Sequence, residues 1–167
     1  MQFSLRDWAL EDAASIAKYA NNPKISANLR NIFPSPYTLS DAQQYIQCCQ
    51  EASPTQKLFR AICVNNEAVG SIGVFLKDDV HCKTAELGYW LGEPFWCQGI
   101  MTRAIQQICE EAFSKYDIVR IFAEPFSTNT ASQRVLEKSG FFLEGILSKN
   151  VYKNGDFFDS CMYALTR

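Results

Sequence analysis

The sequence predicts an α/β (α+β) domain built on a mixed, mostly antiparallel sheet of about six or seven strands, with helices on both faces. Three observations support this. Segments with strand chemistry outnumber helical ones, and turn signals at Asn65-Asn66 and Asn154-Gly155 join neighbouring strands as hairpins. A strand–loop–helix unit, Thr84 to Ala104, interrupts that hairpin pattern in mid-chain. Finally, 47% of the 167 residues are hydrophobic, enough to bury a real core and too many for disorder. One domain, 1–167, is expected.

Phe3 to Trp8 alternates and is the first expected strand. Glu11 to Ala20 follows as a short helix with Ala13, Ile16, Ala17 and Ala20 on its apolar side. Asn21-Asn22-Pro23 ends it, and Asn28 to Tyr37 is a proline-studded loop. Ser40-Asp41-Ala42-Gln43 matches a capping box and opens a second helix through about Glu51. Leu58–Asn65 and Ala68–Lys77 form a hairpin. Ala85 to Leu91 is an aromatic-rich strand broken by Gly92-Glu93-Pro94. After Gly99, Ile100, Ala104, Ile108 and Ala112 recur every fourth residue, with Met101, Ile105, Phe113 and Tyr116 widening the face. Ile118 to Glu124 is a strand ending at Pro125. Asn129 is a good N-cap for the next helix and Gly140 a good stop. Phe142–Lys153 and Phe157–Leu165 pair across Asn154-Gly155. There is no repeat, linker or low-complexity segment.

Several function classes drop out. The net charge is −2 with no block of like charge, which disfavours a nucleic-acid-binding surface. No run is long enough to span a bilayer, and the first residues lack a signal-peptide layout, so a cytoplasmic protein is expected. The seven cysteines are an odd number without C-x-x-C, and the single histidine, His81, cannot complete a zinc site. No metal is therefore expected, the thiols are expected reduced, and His81, in a charged turn, is assigned no role.

The Thr84–Ala104 unit points to an anion. The first N–H groups of a helix have no internal partner, and the helix dipole adds positive charge there. Gly99 lets a phosphate approach without meeting a Cβ. No Gly-Lys-Ser/Thr occurs, which excludes a Walker loop, and the absence of G-x-G-x-x-G excludes a dinucleotide turn. Cys97, beside this helix start, either is a thiol of lowered pKa or merely replaces a small residue and lends its backbone.

Trp96-Cys97-Gln98-Gly99-Ile100-Met101 resembles the pyrophosphate motif Gln/Arg-x-x-Gly-x-Gly/Ala of the GNAT acetyltransferase superfamily. The strict match is Gly99. The stretch is closer to the aromatic-x-x-Gly-[YI]-[AM]-Thr variant of Rim-type ribosomal-protein N-acetyltransferases (the RimJ/RimL-like branch), where glycine is usual at the position of Cys97. Asn129 to Phe141 looks like the family's Asn-x-x-Ser-x-x-x-Leu-x-Lys-x-Gly-Phe helix, and Tyr152 to Asp159 like its last hairpin. The resemblance runs in the family's order from Arg6 to the end.

It implies a GNAT fold with one parallel pair, Glu86–Leu91 and Val119–Glu124, splayed to admit the arm of acetyl-CoA, and no metal. The backbone of Leu87, Gly88 and Tyr89 would hold the arm and thioester. The amides of Gln98, Gly99, Ile100, Met101 and Thr102 would hold the pyrophosphate, and Asn129 and Ser132 the pantetheine. Spermidine-type members protonate the thiolate with a tyrosine where Leu136 stands, whereas Rim-type members have a serine where Ser132 stands; Ser132 is either the substitute proton donor or an ordinary helix serine, solvated or bonded back to the preceding turn. Glu86, a carboxylate in an apolar strand, is either the general base or a structural partner of a Lys or Arg. Phe33 and Tyr37 either line the acceptor site or pack their loop onto the sheet.

The acceptor-side segment Asn21–Tyr37 carries Lys24 and Arg30 and no Asp or Glu. That disfavours polyamines, whose ammonium groups need carboxylates. A peptide or protein N-terminal α-amine is the expected acceptor, although Val151 replaces a glutamate of some ribosomal-protein enzymes. The alternatives are a small free amine (amino acid, polyamine or aminoglycoside) and a catalytically inactive CoA-binding sensor. Either a monomer or a homodimer is compatible with this reading.

Overall fold

The computed structural model describes residues 1–167. In chain order it forms β1 (Ser4–Arg6), α1 (Ala13–Ala20), α2 (Pro23–Ser26), α3 (Leu39–Glu51), β2 (Lys57–Val64) and β3 (Glu67–Leu76). These are followed by β4 (Thr84–Leu91), α4 (Ile100–Lys115), β5 (Arg120–Ala123), α5 (Thr130–Lys138), β6 (Phe142–Lys153) and β7 (Asp156–Thr166). The strands make one seven-stranded sheet in the order β1-β2-β3-β4-β5-β7-β6.

Turn chemistry sets much of this order. Asn65 and Asn66 take left-handed φ values of 50° and 67°, and Val64 pairs with Glu67 across them. Asn154 and Gly155, at 53° and 86°, close β6 on β7 in the same way. Such turns match the twist of the strands they join, and Asn and Gly bear positive φ at least cost.

The sheet alternates its side chains between two cores. On one face Ile62, Ile72, Leu87, Ile121 and Tyr163 pack with Ile100, Ile105 and Ile108 of α4 and Leu136 of α5. On the other, Ala61, Cys63 and Ala68 pack with Ile16 of α1 and Ile46 of α3, together with Trp8 and Tyr37.

β4 and β5 are the parallel pair, and their ladder is short: Thr84–Arg120, Ala85–Ile121, Glu86–Phe122. Beyond Glu86, β4 continues to Leu91 paired only with β3. The centre of the sheet therefore opens.

Local boundaries differ from expectation for identifiable reasons. The first helix starts as a 3-10 turn, Leu10–Asp12. Buried Asp12 there accepts two bonds from the Arg6 guanidinium at 2.7 Å each. The box that opens α3 uses Thr38 and Asp41, not Ser40 and Gln43: Thr38 Oγ1 accepts the Asp41 N–H at 3.2 Å, and Asp41 accepts the Thr38 N–H at 2.8 Å. The extra helix α2 is capped by Asn22, whose side chain accepts the Lys24 N–H at 2.9 Å.

Candidate active site

The loop from β4 to α4 is built to present backbone. Gly92 N–H bonds Val69 O at 2.8 Å, and the Trp96 indole donates to Leu91 O at 2.7 Å, so the loop is pinned at both ends. Cys97 and Gly99 adopt left-handed φ of 59° and 70° on either side of Gln98. From Cys97 to Thr102 no backbone N–H has an acceptor within the protein; the ladder of α4 begins with Arg103 N–H to Gly99 O. This row of free donors at the positive end of a 16-residue helix makes an anion cradle. The side chains of Ile100 and Met101 are buried in the core, so these residues offer only their amides. A Cβ on Gly99 would meet nothing within 4 Å, so its φ and the approach of a ligand, not packing, call for glycine. Exposed Cys97 holds a conformation that glycine adopts more cheaply, which is a physical reason for glycine at this position in related loops.

The bonds of β4 alternate. Thr84 O accepts from Lys77, and Gly92 N–H donates to Val69, so the even-numbered residues between them, including Gly88 opposite Gly73, turn their backbone groups to β3. Leu87 and Tyr89 turn theirs to the β5 side, where the ladder ends at Glu86–Phe122 and the groups beyond that rung, the Leu87 carbonyl and the Tyr89 backbone, face the opening. Gly88 therefore does not offer its backbone to the gap as expected; it belongs to the β3 ladder.

Side chains finish the gap. The Tyr89 hydroxyl lies 2.6 Å from Ser132 Oγ, joining β4 to α5 beyond the point where the strands part. Burial pushes the Tyr89 phenol above its usual range, so it stays protonated at neutral pH. Asn129 caps α5, accepting the Ser132 N–H at 3.2 Å. The Tyr89 phenol was not part of the sequence expectation. Strand alternation puts it on the α4–α5 face, but the contact with α5 is tertiary.

On the opposite face Glu86, with a side chain 15% exposed, is ion-paired to Arg30 and to Lys77, whose Nζ lies at 2.6 Å. Lys24 pairs with Glu93, so both cations of the acceptor-side segment meet carboxylates from β4 and its following turn. Phe33 packs on Tyr37 (5.0 Å between rings) and on Trp90 (6.0 Å). Tyr37 is 6% exposed, inside the α1–α3 core, where burial raises its pKa. Beside Arg30 opens a cleft of about 230 Å3 whose wall includes Glu124, Asn150 and Lys153, none of them anticipated from the sequence. His81 is exposed, and no three His, Cys, Asp or Glu side chains converge as metal ligands would.

An open parallel pair with a helix N-terminus at its mouth is the architecture of an acyl-CoA-dependent transferase. Residues 2–142 match the acetyltransferase (GNAT) domain family, and the chain belongs to it. It is an N-acetyltransferase with acetyl-CoA as donor. It is 28% identical over 170 residues to the uncharacterized N-acetyltransferase p20 of Bacillus licheniformis, covering 99% of this chain and 93% of that protein. It is 34% identical over 82 residues to the ribosomal-protein-serine acetyltransferase of Escherichia coli, covering 49% of this chain and 46% of that one. Among solved structures, the microcin C7 self-immunity acetyltransferase MccE in complex with acetyl-CoA and AMP superposes with a TM-score of 0.85 at 27% identity, covering 99% of this chain and 93% of that one. No helix is long and apolar enough to cross a membrane.

Proposed function

We propose that the chain transfers the acetyl group of acetyl-CoA to the α-amine of a peptide or protein N-terminus, within one domain spanning 1–167. The carrying observation is the interrupted β4–β5 ladder, with free amides at its mouth and a hydroxyl pair across it. Acetyl-CoA supplies an activated acyl group as a thioester. In this reading the amides of Gln98–Thr102 hold the pyrophosphate, and the β5-facing backbone of Leu87 and Tyr89 together with Asn129 orients the arm. The Ser132–Tyr89 pair delivers the proton that the departing thiolate needs. Glu86 takes the proton of the attacking amine, and Arg30 and Lys77 fix its carboxylate. Phe33 is the acceptor-side aromatic in this scheme, whereas Tyr37 shapes the site from within the core.

The acceptor choice is supported by the E. coli relative, whose name gives a ribosomal protein as its substrate. A small-molecule acceptor is the second reading, favoured by the likeness to the microcin C7 self-immunity enzyme, whose complex holds AMP beside acetyl-CoA. Every residue invoked lies in one chain, so a monomer or a homodimer suffices, and the free cysteines suit a cytoplasmic setting. The test is a thiol-release assay over N-terminal peptides, amino acids, polyamines and aminoglycosides. Turnover of a peptide above every small amine is expected; faster turnover of spermidine than of any peptide would overturn the choice.

A further inference from the structure

The cleft beside the transfer gap holds two opposite charges that the fold leaves uncompensated. Lys153 is 8% exposed, and its Nζ donates to Leu29 O at 2.6 Å and to Asn31 Oδ1 at 3.3 Å. An ammonium has three N–H donors, so one is left over, and both partners are neutral. A buried ammonium without a counter-charge is costly, and an arriving anion offsets that cost.

Glu124, just beyond β5 on the same wall system, is the complement. Its Oε1 accepts from Ser160 Oγ at 2.6 Å and from Asn150 Nδ2 at 2.5 Å; its Oε2 has no partner and no cation pairs with it. The grip is built into the fold. Ser160 is fully buried, and the β6–β7 register slips between Leu147 and Val151. Lys149, at φ 51°, anchors that irregularity through its N–H to Asp159 Oδ1 at 2.8 Å, and Asn150 is thereby turned onto Glu124 and Ser160. Arg30, already on Glu86, is the third charged group lining the cleft.

Resting on the transfer reading above, we infer that this cleft is a dipolar acceptor subsite. Glu124 receives the acceptor's amine as it arrives as an ammonium, Glu86 takes its proton before attack, and Lys153, with Arg30 at the mouth, receives a carboxylate or phosphate carried within one residue of it. A purely cationic acceptor would leave Lys153 uncompensated and set a second positive charge beside Arg30. The volume of about 230 Å3, that of about eight waters in the liquid, is room enough for one amino-acid residue. The shared chemistry is met by the acidic first residue of a peptide or by a free α-amino acid.

The experiment compares kcat/KM for peptides Asp-Ala-Ala-amide and Asn-Ala-Ala-amide, and for free alanine and alaninamide, in wild type, Lys153→Met and Glu124→Gln. Wild type should prefer the anionic member of one pair by about tenfold or more, and whichever pair shows it identifies the source. Lys153→Met should bring that ratio close to one. Glu124→Gln should raise KM for all acceptors more than it lowers kcat. Retained acetyl-CoA affinity by calorimetry shows that each variant is folded. Equal use of both members of each pair by wild type, or an unchanged preference in Lys153→Met, overturns the inference while leaving the transfer reading intact. Should no amine be acetylated, the transfer reading fails. Calorimetric binding of Asp-Ala-Ala-amide to the CoA-loaded protein, and its loss in Lys153→Met, then decides on the subsite alone.

Discussion

Glu86 illustrates how a carboxylate on a catalytic strand is shaped by its neighbours. Arg30 and Lys77 hold it from two sides, and both cations remain partly hydrated, with side chains 73% and 36% exposed. Pairs of this exposure contribute about 0–1 kcal/mol, so Glu86→Gln should scarcely change the melting point. It should lower turnover most at low pH, where the amine needs a base, while acetyl-CoA affinity stays nearly constant. Equal activity of variant and wild type across the pH range would remove Glu86 from the mechanism. The Tyr89–Ser132 pair makes a second prediction. Tyr89→Phe and Ser132→Ala should each reduce turnover on the order of 10²-fold, and the double variant should be no worse than the more impaired single one, because the hydroxyls act as a unit. Losses that multiply in the double variant, measured as kcat for thiol release, would show that the two hydroxyls act separately.

At the level of elements, α4 carries the cofactor reading. Gly99→Val places a β-branched residue at φ 70°, at a backbone cost of about 1–2 kcal/mol, and fills the space that the cradle leaves open. Calorimetry should then show no acetyl-CoA binding by a protein that still melts cooperatively; wild-type affinity would sink the assignment. This helix was legible because its apolar period and its glycine start are local signals. So were both asparagine turns and the cap of α5. What failed was decided at a distance. The choice of Thr38 over Ser40 as cap follows from the anchoring of buried Tyr37, whose N–H bonds Asn21 Oδ1 at 3.1 Å. The Tyr89–Ser132 contact needs α5 to lie across the gap. The Glu124–Lys153 cleft needs β6 and β7 placed beyond β5 and a bulge in β6, and neither the strand order nor the slip is written in any local pattern.

Across the whole molecule, burial sets the response to alkali. Burial raises the Cys49 and Cys109 thiols to about 12 and the Tyr163 phenol to about 12, and lifts Tyr37, Tyr45 and Tyr89 as well. Each of these groups is held neutral in the folded state but ionises at its ordinary pKa, about 8.5 for Cys and 10 for Tyr, once unfolded. Stability is therefore fully present below about pH 8.5 and declines towards pH 12 as the unfolded chain sheds protons first. The denaturant midpoint should hold between pH 7 and 8 and fall steadily at pH 9, 10 and 11; a flat midpoint would contradict the assignment. The parting of β4 from β5 has its own consequence, in the traffic of amide protons with solvent. Central strands ordinarily exchange only when the whole molecule unfolds. Here the middle of the sheet should be permeable: the amide of Tyr89, beyond the last β4–β5 rung, should take up deuterium far faster than those of Gly88 and Trp90, which are locked to β3. Acetyl-CoA would close that leak from within, acting as the strand that the sheet lacks.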